Sequence, residues 1–377
     1  MKRTSLFAFC QSPNGMWKFL QNEMLVILGL TEDAERTDAE IADVFDMKKG
    51  TVSSARRRLL DAGAIHFAYV PAFNRLGCEL IGFHMGATDP AVRSEVKANH
   101  HMEFCNRSPE VFFSVIGGSS VVFFTALRNA TEFESFVQRH NAFFTGSRRV
   151  SRSKLMSTVF PYALSRLTPV PQFAPLVHTY FGLDVPRPRT VPIAPVKVDP
   201  VELTENEKKA LVAMVKNPDA SDRVIASSIR TSRQAVTRMR NKFRDEGLLT
   251  KICVPRLYRW GFEIFAVAHP KFTLDISWDK RIKTQPRNVV ELSFYTLSKA
   301  DEGVANYMVS KFTEYSEQLE NILAWYHRVG VFDEKPEITL FSLERSTELR
   351  AFDFYPAVKN LLLPEDPPGG DRQAENL

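Results

Sequence analysis

Apolar residues along this chain recur in two periods, and the succession of periods is written twice. Between Thr37 and Asp46 the apolar positions Ile41 and Phe45 share one face of a helix, with Thr37 and Glu40 placed as a capping box. A break at Met47-Lys48-Lys49 leads to a second helix, Gly50–Asp61. Its Val52, Ala55 and Leu59 sit at helical spacing, and Gly63 ends it in a C-cap position. An earlier helix over about Met16–Leu28 completes the group. The same order returns later: Thr204-Glu205-Asn206-Glu207 caps a helix Lys208–Lys216, Ser221–Ile229 follows, and Ser232–Asp245 carries Val236, Met239 and Phe243 before Gly247. Helix, tight turn, helix, then a strand pair predicts a winged helix-turn-helix in each copy.

Beyond each helical group the period changes to two. Glu79–Ala87, Glu110–Ile116, Val121–Leu127 and Leu155–Leu164 read as strands, with a helix over Thr131–Phe144. The second copy offers strands at Glu263–His269, Val289–Leu297, Val304–Val309 and Glu337–Leu343, and a helix at Thr313–Trp325. The order β-α-β-β-α-β is the ferredoxin-like arrangement. Phe173, Pro175, Val177 and Phe354, Pro356, Val358 mark a short closing helix in each copy. The expected fold class is therefore α+β, with two repeats, each an N-terminal winged helix-turn-helix followed by a ferredoxin-like βαββαβ domain. The expected boundaries are 16–75 and 78–168 for the first pair, 169–203 for its closing helix and linker, 204–260 and 261–345 for the second pair, and 346–377 for the last helix and tail.

Arg36–Glu79 lies on Ala220–Glu263 without a gap, and twelve of the 44 positions are identical. Composition alone gives about two or three. The identities include Asp38/Asp222, Arg56/Arg240, Gly63/Gly247, Arg75/Arg259 and Gly77/Gly261. Between the copies, Gly182–Pro200 holds five prolines, which exclude helix and favour an extended spacer. Glu365–Leu377 reads as a disordered tail. Val111–Leu127 has no charge along its whole length, but Gly117-Gly118-Ser119-Ser120 interrupts it, so two buried strands fit better than a membrane helix. The four cysteines form no CxxC pair, and reduced thiols in a cytoplasmic protein account for them.

Net charge is only +5, so the placement of charge matters more than its sum. Ala220–Trp260 holds ten basic residues and three acidic ones. With the apolar stripe inward, the second helix of the first motif presents Lys49, Thr51, Ser53, Ser54, Arg57 and Arg58. That of the second presents Arg233, Gln234, Thr237, Arg238 and Asn241. Arg and Lys neutralise phosphates or bind guanine edges, while Gln and Asn pair with adenine. A solvated basic face is the bland explanation, and the recurrence of two such faces at one place in two copies argues against it. Asp38, Glu40, Asp43 and Asp46 precede the first basic helix, and Lys48 stands where the second copy has Ser232, a good N-cap.

Thr37-Asp38-Ala39-Glu40-Ile41-Ala42, then Gly50-Thr51-Val52-Ser53 with Arg56-Arg57-Arg58-Leu59, then Asp61-Ala62-Gly63-Ala64-Ile65, resembles the helix-turn-helix of the Lrp/AsnC family of transcription regulators. The second copy matches at Ile225-Ala226, Val236-Thr237-Arg238, Asp245-Glu246-Gly247-Leu248-Leu249 and Gly261. The chain thus resembles two family members in tandem. The resemblance implies a regulator of double-stranded DNA in which paired ferredoxin-like domains hold two reading heads, as a homodimer or as an intramolecular pseudo-dimer. It also implies a small-molecule effector site at the turn Gly117, Gly118, Ser119, Ser120. The corresponding turn of the second copy, Lys299-Ala300-Asp301-Glu302-Gly303, matches poorly. Because the two faces differ, the expected DNA site is asymmetric, with the second head supplying most of the affinity.

Other candidates carry less. Arg148, Arg149, Arg152 and Lys154 form a basic cluster, and Arg187-Pro188-Arg189 is of the kind that enters a minor groove, although a plain spacer is the simpler account. His100, His101 and Cys105 have no fourth ligand at zinc spacing, so neither metal nor cofactor is expected. No nucleophile set, phosphate-cradling loop or paired carboxylates stand out, and the expectation is a chain that is not an enzyme. Two alternatives remain open. Siroheme decarboxylases look like this family in fold and carry a His-Asn-Tyr-type motif on a central strand; here those strands read Glu110-Val111-Phe112-Phe113-Ser114 and Glu291-Leu292-Ser293-Phe294-Tyr295, without histidine. In the other, the first winged helix recruits a protein partner.

Overall fold

The computed structural model describes residues 18–145, 155–191, 193–284, 292–332 and 334–364. The first head comprises α1 (Gln21–Glu32), α2 (Asp38–Val44), α3 (Lys49–Asp61) and one strand, β1 (Ile65–Pro71). Its ferredoxin-like partner comprises β2 (Leu80–Ala87), α4 (Ser94–Arg107), β3 (Val111–Gly117), β4 (Ser120–Leu127), α5 (Ala130–Thr145) and β5 (Met156–Pro161). A connecting passage carries β6 (Arg166–Leu167), α6 (Ala174–Phe181) and β7 (Ala194–Pro195). The second half repeats the order with α7 (Glu205–Lys216), α8 (Asp222–Ile229), α9 (Arg233–Asp245), β8 (Leu249–Pro255), β9 (Ile264–His269), α10 (Trp278–Thr284), β10 (Ser293–Ser298), β11 (Gly303–Val309), α11 (Phe312–Val329) and β12 (Glu337–Ser342). It closes with β13 (Thr347–Arg350) and α12 (Tyr355–Leu362).

The fold is thus α+β, with winged helix-turn-helix and ferredoxin-like parts in each half. α1 and α7, α3 and α9, and β1 and β8 begin and end at the same constant offset that lays Arg36 on Ala220. That register corrects the first helix, expected over Met16–Leu28 and found at Gln21–Glu32. The Glu23 carboxylate accepts the Leu20 N–H at 2.9 Å, as Glu207 accepts the Thr204 N–H at 2.9 Å, so both helices start one residue after these caps. The tail Glu365–Leu377 and the cluster Arg148–Lys154 lie outside the described residues, as do 289–291 of the strand expected from Val289.

Each head has a single strand after its helices, and its partner is the same strand of the other head. β1 and β8 pair antiparallel over their whole length, with Ala68 opposite Ile252 at the centre. Ala72 N–H donates to Leu248 O and Arg256 N–H to Ala64 O, both at 2.9 Å; the repeat offset turns the one contact into the other. The two larger sheets run β13-β3-β4-β2-β5 and β12-β9-β11-β10-β6-β7. The halves therefore exchange strands: β6 of the first extends the second sheet beside β10, and β13 of the second extends the first beside β3.

The two sheets face one another across an aromatic layer. Phe113 meets Phe265 edge-on at 5.7 Å, Phe124 meets Tyr295 at 6.0 Å, and Phe83 lies 5.7 Å from His269. α4 and α5 cover the outer face of the first sheet, with Phe104, Phe136 and Phe144 buried between them. The uncharged stretch 111–127 is the β3–β4 hairpin, turning at Gly118, whose φ is 56°. Among the described residues no helix is long and apolar enough to cross a membrane. Cys78, Cys105 and Cys253 are free and buried.

Candidate nucleic-acid interface

The recognition helices α3 and α9 each bury three side chains: Val52, Ala55 and Leu59 in one, Val236, Met239 and Phe243 in the other. What lies between stripe and solvent is a repeated clamp. Asp38 pairs with Arg56 at 2.8 Å and accepts the Ser53 hydroxyl; Asp222 pairs with Arg240 at 2.7 Å and accepts the Thr237 hydroxyl at 2.6 Å. Each arginine also donates to a backbone carbonyl just before the clamp, Arg36 O or Ala220 O. Burial opposes ionisation of Asp222, but the hydrogen bonds from Thr237 and Arg240 outweigh it and hold its carboxyl below the ordinary range. The clamp fixes the angle between the two helices of each head.

A second repeated pair fastens the recognition helix to the first helix. Arg58 meets Glu23, which is 2 % exposed, at 2.6 Å, and Lys242 meets Glu207 at 2.7 Å. The hydrogen bond that the Lys242 ammonium donates to Glu207 raises it above its usual value, so it stays charged. A third device joins the heads. Arg259 donates to Ala62 O at 2.7 Å, and Arg75 donates to Glu246 O; each reaches the carbonyl that ends the other head's recognition helix. Arg240 also donates to Tyr69 OH across the β1–β8 ribbon.

These devices sort the side chains expected at the interface. Lys49, Ser54, Arg57 and Arg58 are exposed on α3, while Thr51 and Ser53 are half-buried. Arg233, Gln234, Thr237, Arg238 and Asn241 are all exposed on α9. Ser53 and Thr237 give their hydroxyl protons to the clamp, and Arg58 is engaged by Glu23. The side chains of Lys49, Arg57, Arg233 and Arg238 make no hydrogen bond or ion pair among the described residues, which leaves four solvated cations facing outward. Ser232 caps α9 by accepting Ala235 N–H at 3.2 Å, whereas Lys48 caps α3 with no side-chain bond. Sequence reasoning passes over the roles of Asp38, Asp222, Glu23 and Glu207. For the two aspartates a signal exists, since they are identical in both copies.

The turn Gly117–Ser120 is braced by hydrogen bonds to its carbonyls. Lys97, 3 % exposed, donates to Gly118 O at 2.5 Å, and Thr88 N–H donates to Ser119 O at 2.7 Å. A side chain at Gly117 would collide with Ser346 from the other half. In the second copy the equivalent turn folds inward: Glu302 accepts from His269 at 2.7 Å and from Lys299 at 2.6 Å, and Thr158 of the first sheet also donates to it. Burial alone would raise the Glu302 carboxyl, yet these hydrogen bonds bring it down to about 2. His100 rests on Phe143 at 5.0 Å, and His101 Nδ1–H donates to Lys97 O at 2.9 Å within α4. No group of ligating residues suited to a metal ion occurs among the described residues.

No family model matches the sequence, and no curated protein matches it significantly. Among solved structures, the chain is similar over most of its length to the siroheme decarboxylase NirDL, at 13% identity and a TM-score of 0.48, covering 90% of this chain and 98% of that one. Over 37% of its length it is similar to 91% of the Mycobacterium tuberculosis leucine response regulatory protein LrpA, at 21% identity and a TM-score of 0.29. Over 38% it is similar to 92% of E. coli AsnC, at 14% identity and a TM-score of 0.30. Likenesses of this degree assign no activity to the chain. They do correct one expectation: the match that spans both chains almost end to end is to an enzyme, so the expectation that this chain is not one is withdrawn.

Proposed function

We propose that this chain is a double-stranded-DNA-binding transcription regulator whose two helix-turn-helix heads read the unlike halves of one asymmetric site. One observation carries the reading. The clamps of α3 and α9 match and their buried side chains occupy the same positions, while the cations turned to solvent differ, with Lys49 and Arg57 on one and Arg233 and Arg238 on the other. Such side chains neutralise phosphates and read base edges, and a rigid ribbon between the heads sets their spacing. On this reading the chain is a tandem duplication of an Lrp/AsnC-like unit, in which β1–β8 pairing within one chain replaces pairing between two subunits. The buried, unpaired thiols suit a cytoplasmic protein.

Genome-wide footprinting with the full chain at two salt concentrations tests this. The expected outcome is a set of footprints with two unlike half-sites, whose occupancy drops steeply at the higher salt. Palindromic sites, or none at either concentration, would count against it. The exposed Asp43 and Asp46 beside α3 favour one variation, in which the first head meets a protein. Arg57→Glu leaves DNA affinity untouched in that case.

A further inference from the structure

A cavity of about 390 Å³ lies between the two heads and the paired sheets. Its volume falls within the range of small-molecule sites. The walls are aromatic: Phe112 stacks on Phe354 at 5.3 Å and on Phe73 at 6.1 Å. Two phenols from different halves, Tyr162 after β5 and Tyr295 on β10, also line it. They are 4% and 7% exposed, and neither hydroxyl has a hydrogen-bond partner among the described residues. Both hydroxyl oxygens keep some solvent contact rather than lying orphaned in the core, so they are open to an acceptor that enters the cavity. Burial raises both phenols above their ordinary value, which keeps them protonated and able to donate. The mouth holds Arg75, which donates to Asp199 O and Glu246 O through Nε and Nη1 and keeps Nη2 for a further acceptor. It also holds Lys197, exposed on the linker strap and paired with Asp199 at 2.5 Å.

The cavity depends on asymmetry between the halves. Ile81 lines it, and the matching position of the second half is Phe265, a fully buried ring. The smaller Ile81 leaves space that a ring at this position would take.

We propose that this cavity binds a small planar ligand with an apolar body, an acceptor that meets the Tyr162 and Tyr295 hydroxyls, and an anionic end directed to Arg75 and Lys197. The same space touches the end of β1 and the residues after it, and Glu246, Gly247 and Thr250 where α9 leads into β8, so an occupant bears on the pose of both heads. That regulatory consequence rests on the DNA-binding reading; the binding site does not.

The test uses the full chain and an anilinonaphthalene sulfonate dye as a planar anionic probe. Saturable fluorescence with one dye per chain is expected. Ile81→Phe, which installs the residue of the other half, weakens it about tenfold or more. The double variant Tyr162→Phe/Tyr295→Phe, which removes only oxygens, weakens it about fivefold or more. Circular dichroism confirms that both variants are folded. Dye binding equal to wild type in both variants, or no saturable binding at all, overturns the proposal. Dye that binds as expected yet leaves DNA affinity unchanged sinks the regulatory consequence alone. Absence of DNA binding with and without dye sinks the DNA reading and leaves the site standing.

Discussion

Asp38, Arg56 and Arg75 recur as Asp222, Arg240 and Arg259 because these side chains hold the heads together, not because they read anything. Gly63 and Gly247, at φ 62° and 65°, end the recognition helices in a conformation that a side chain would strain. Ser54 against Arg238 is a differing position that is turned to solvent. The distinction is measurable by urea unfolding. Asp222→Asn, which weakens the clamp, is expected to cost about 1–2 kcal/mol, whereas Arg238→Ala stays within about 0.5 kcal/mol of wild type. Equal losses would refute the division. Glu302 supplies a pH test: its carboxyl falls from the ordinary 4.5 to about 2 in the folded chain. A lowered folded value gives stability that is full above about 4.5 and is lost as pH falls towards 2. Thermal unfolding between these limits should therefore be flatter in Glu302→Gln than in wild type, and parallel curves would contradict the pairing seen here. Neither this carboxylate nor the two cavity phenols stand out in the sequence, because the residues that surround them come from distant parts of the chain.

At the scale of elements, the recognition helices are readable to within a residue, since a three-residue apolar stripe and a terminal glycine agree in both and Ser232 adds a cap to α9. The first helix starts later than periodicity suggests, because the Glu23 carboxylate closes its N-terminus on the Leu20 N–H and no Ser or Thr marks the cap. The exchanged strands β6 and β13, of two and four residues, are too short for any period to register, and their partners lie in the other half. For the same reason the sequence suggests a wing built as a strand pair within each copy, whereas the ribbon is built between copies. Ala68→Pro at the ribbon centre removes a ladder donor. It should lower DNA affinity about tenfold or more by uncoupling the heads, with the sheet content preserved by circular dichroism. Unchanged affinity would show that the heads act without the ribbon.

At the scale of the molecule, β1–β8 pairing, strand exchange and facing sheets make one body from two repeats. The linker that reads as a spacer is bound along its length: Gln172 and Val191 exchange two hydrogen bonds, Asn74 donates to Lys197 O at 2.6 Å, and Val201 N–H donates to Arg75 O at 2.9 Å. Proteolytic nicking between 182 and 200 is therefore expected to leave both halves eluting together in gel filtration, and separation would mean that the exchanged strands contribute little. Within one such body the two heads are free to differ, as two identical subunits are not. The most direct test of that claim measures the affinity of the full chain for a footprinted duplex across a salt series, with Arg57→Glu and Arg238→Glu as separate variants. The account predicts that log affinity falls linearly with log salt, that each reversal costs about 1–3 kcal/mol, and that Arg238→Glu costs more. Affinity indifferent to salt, or untouched by both reversals, would contradict it.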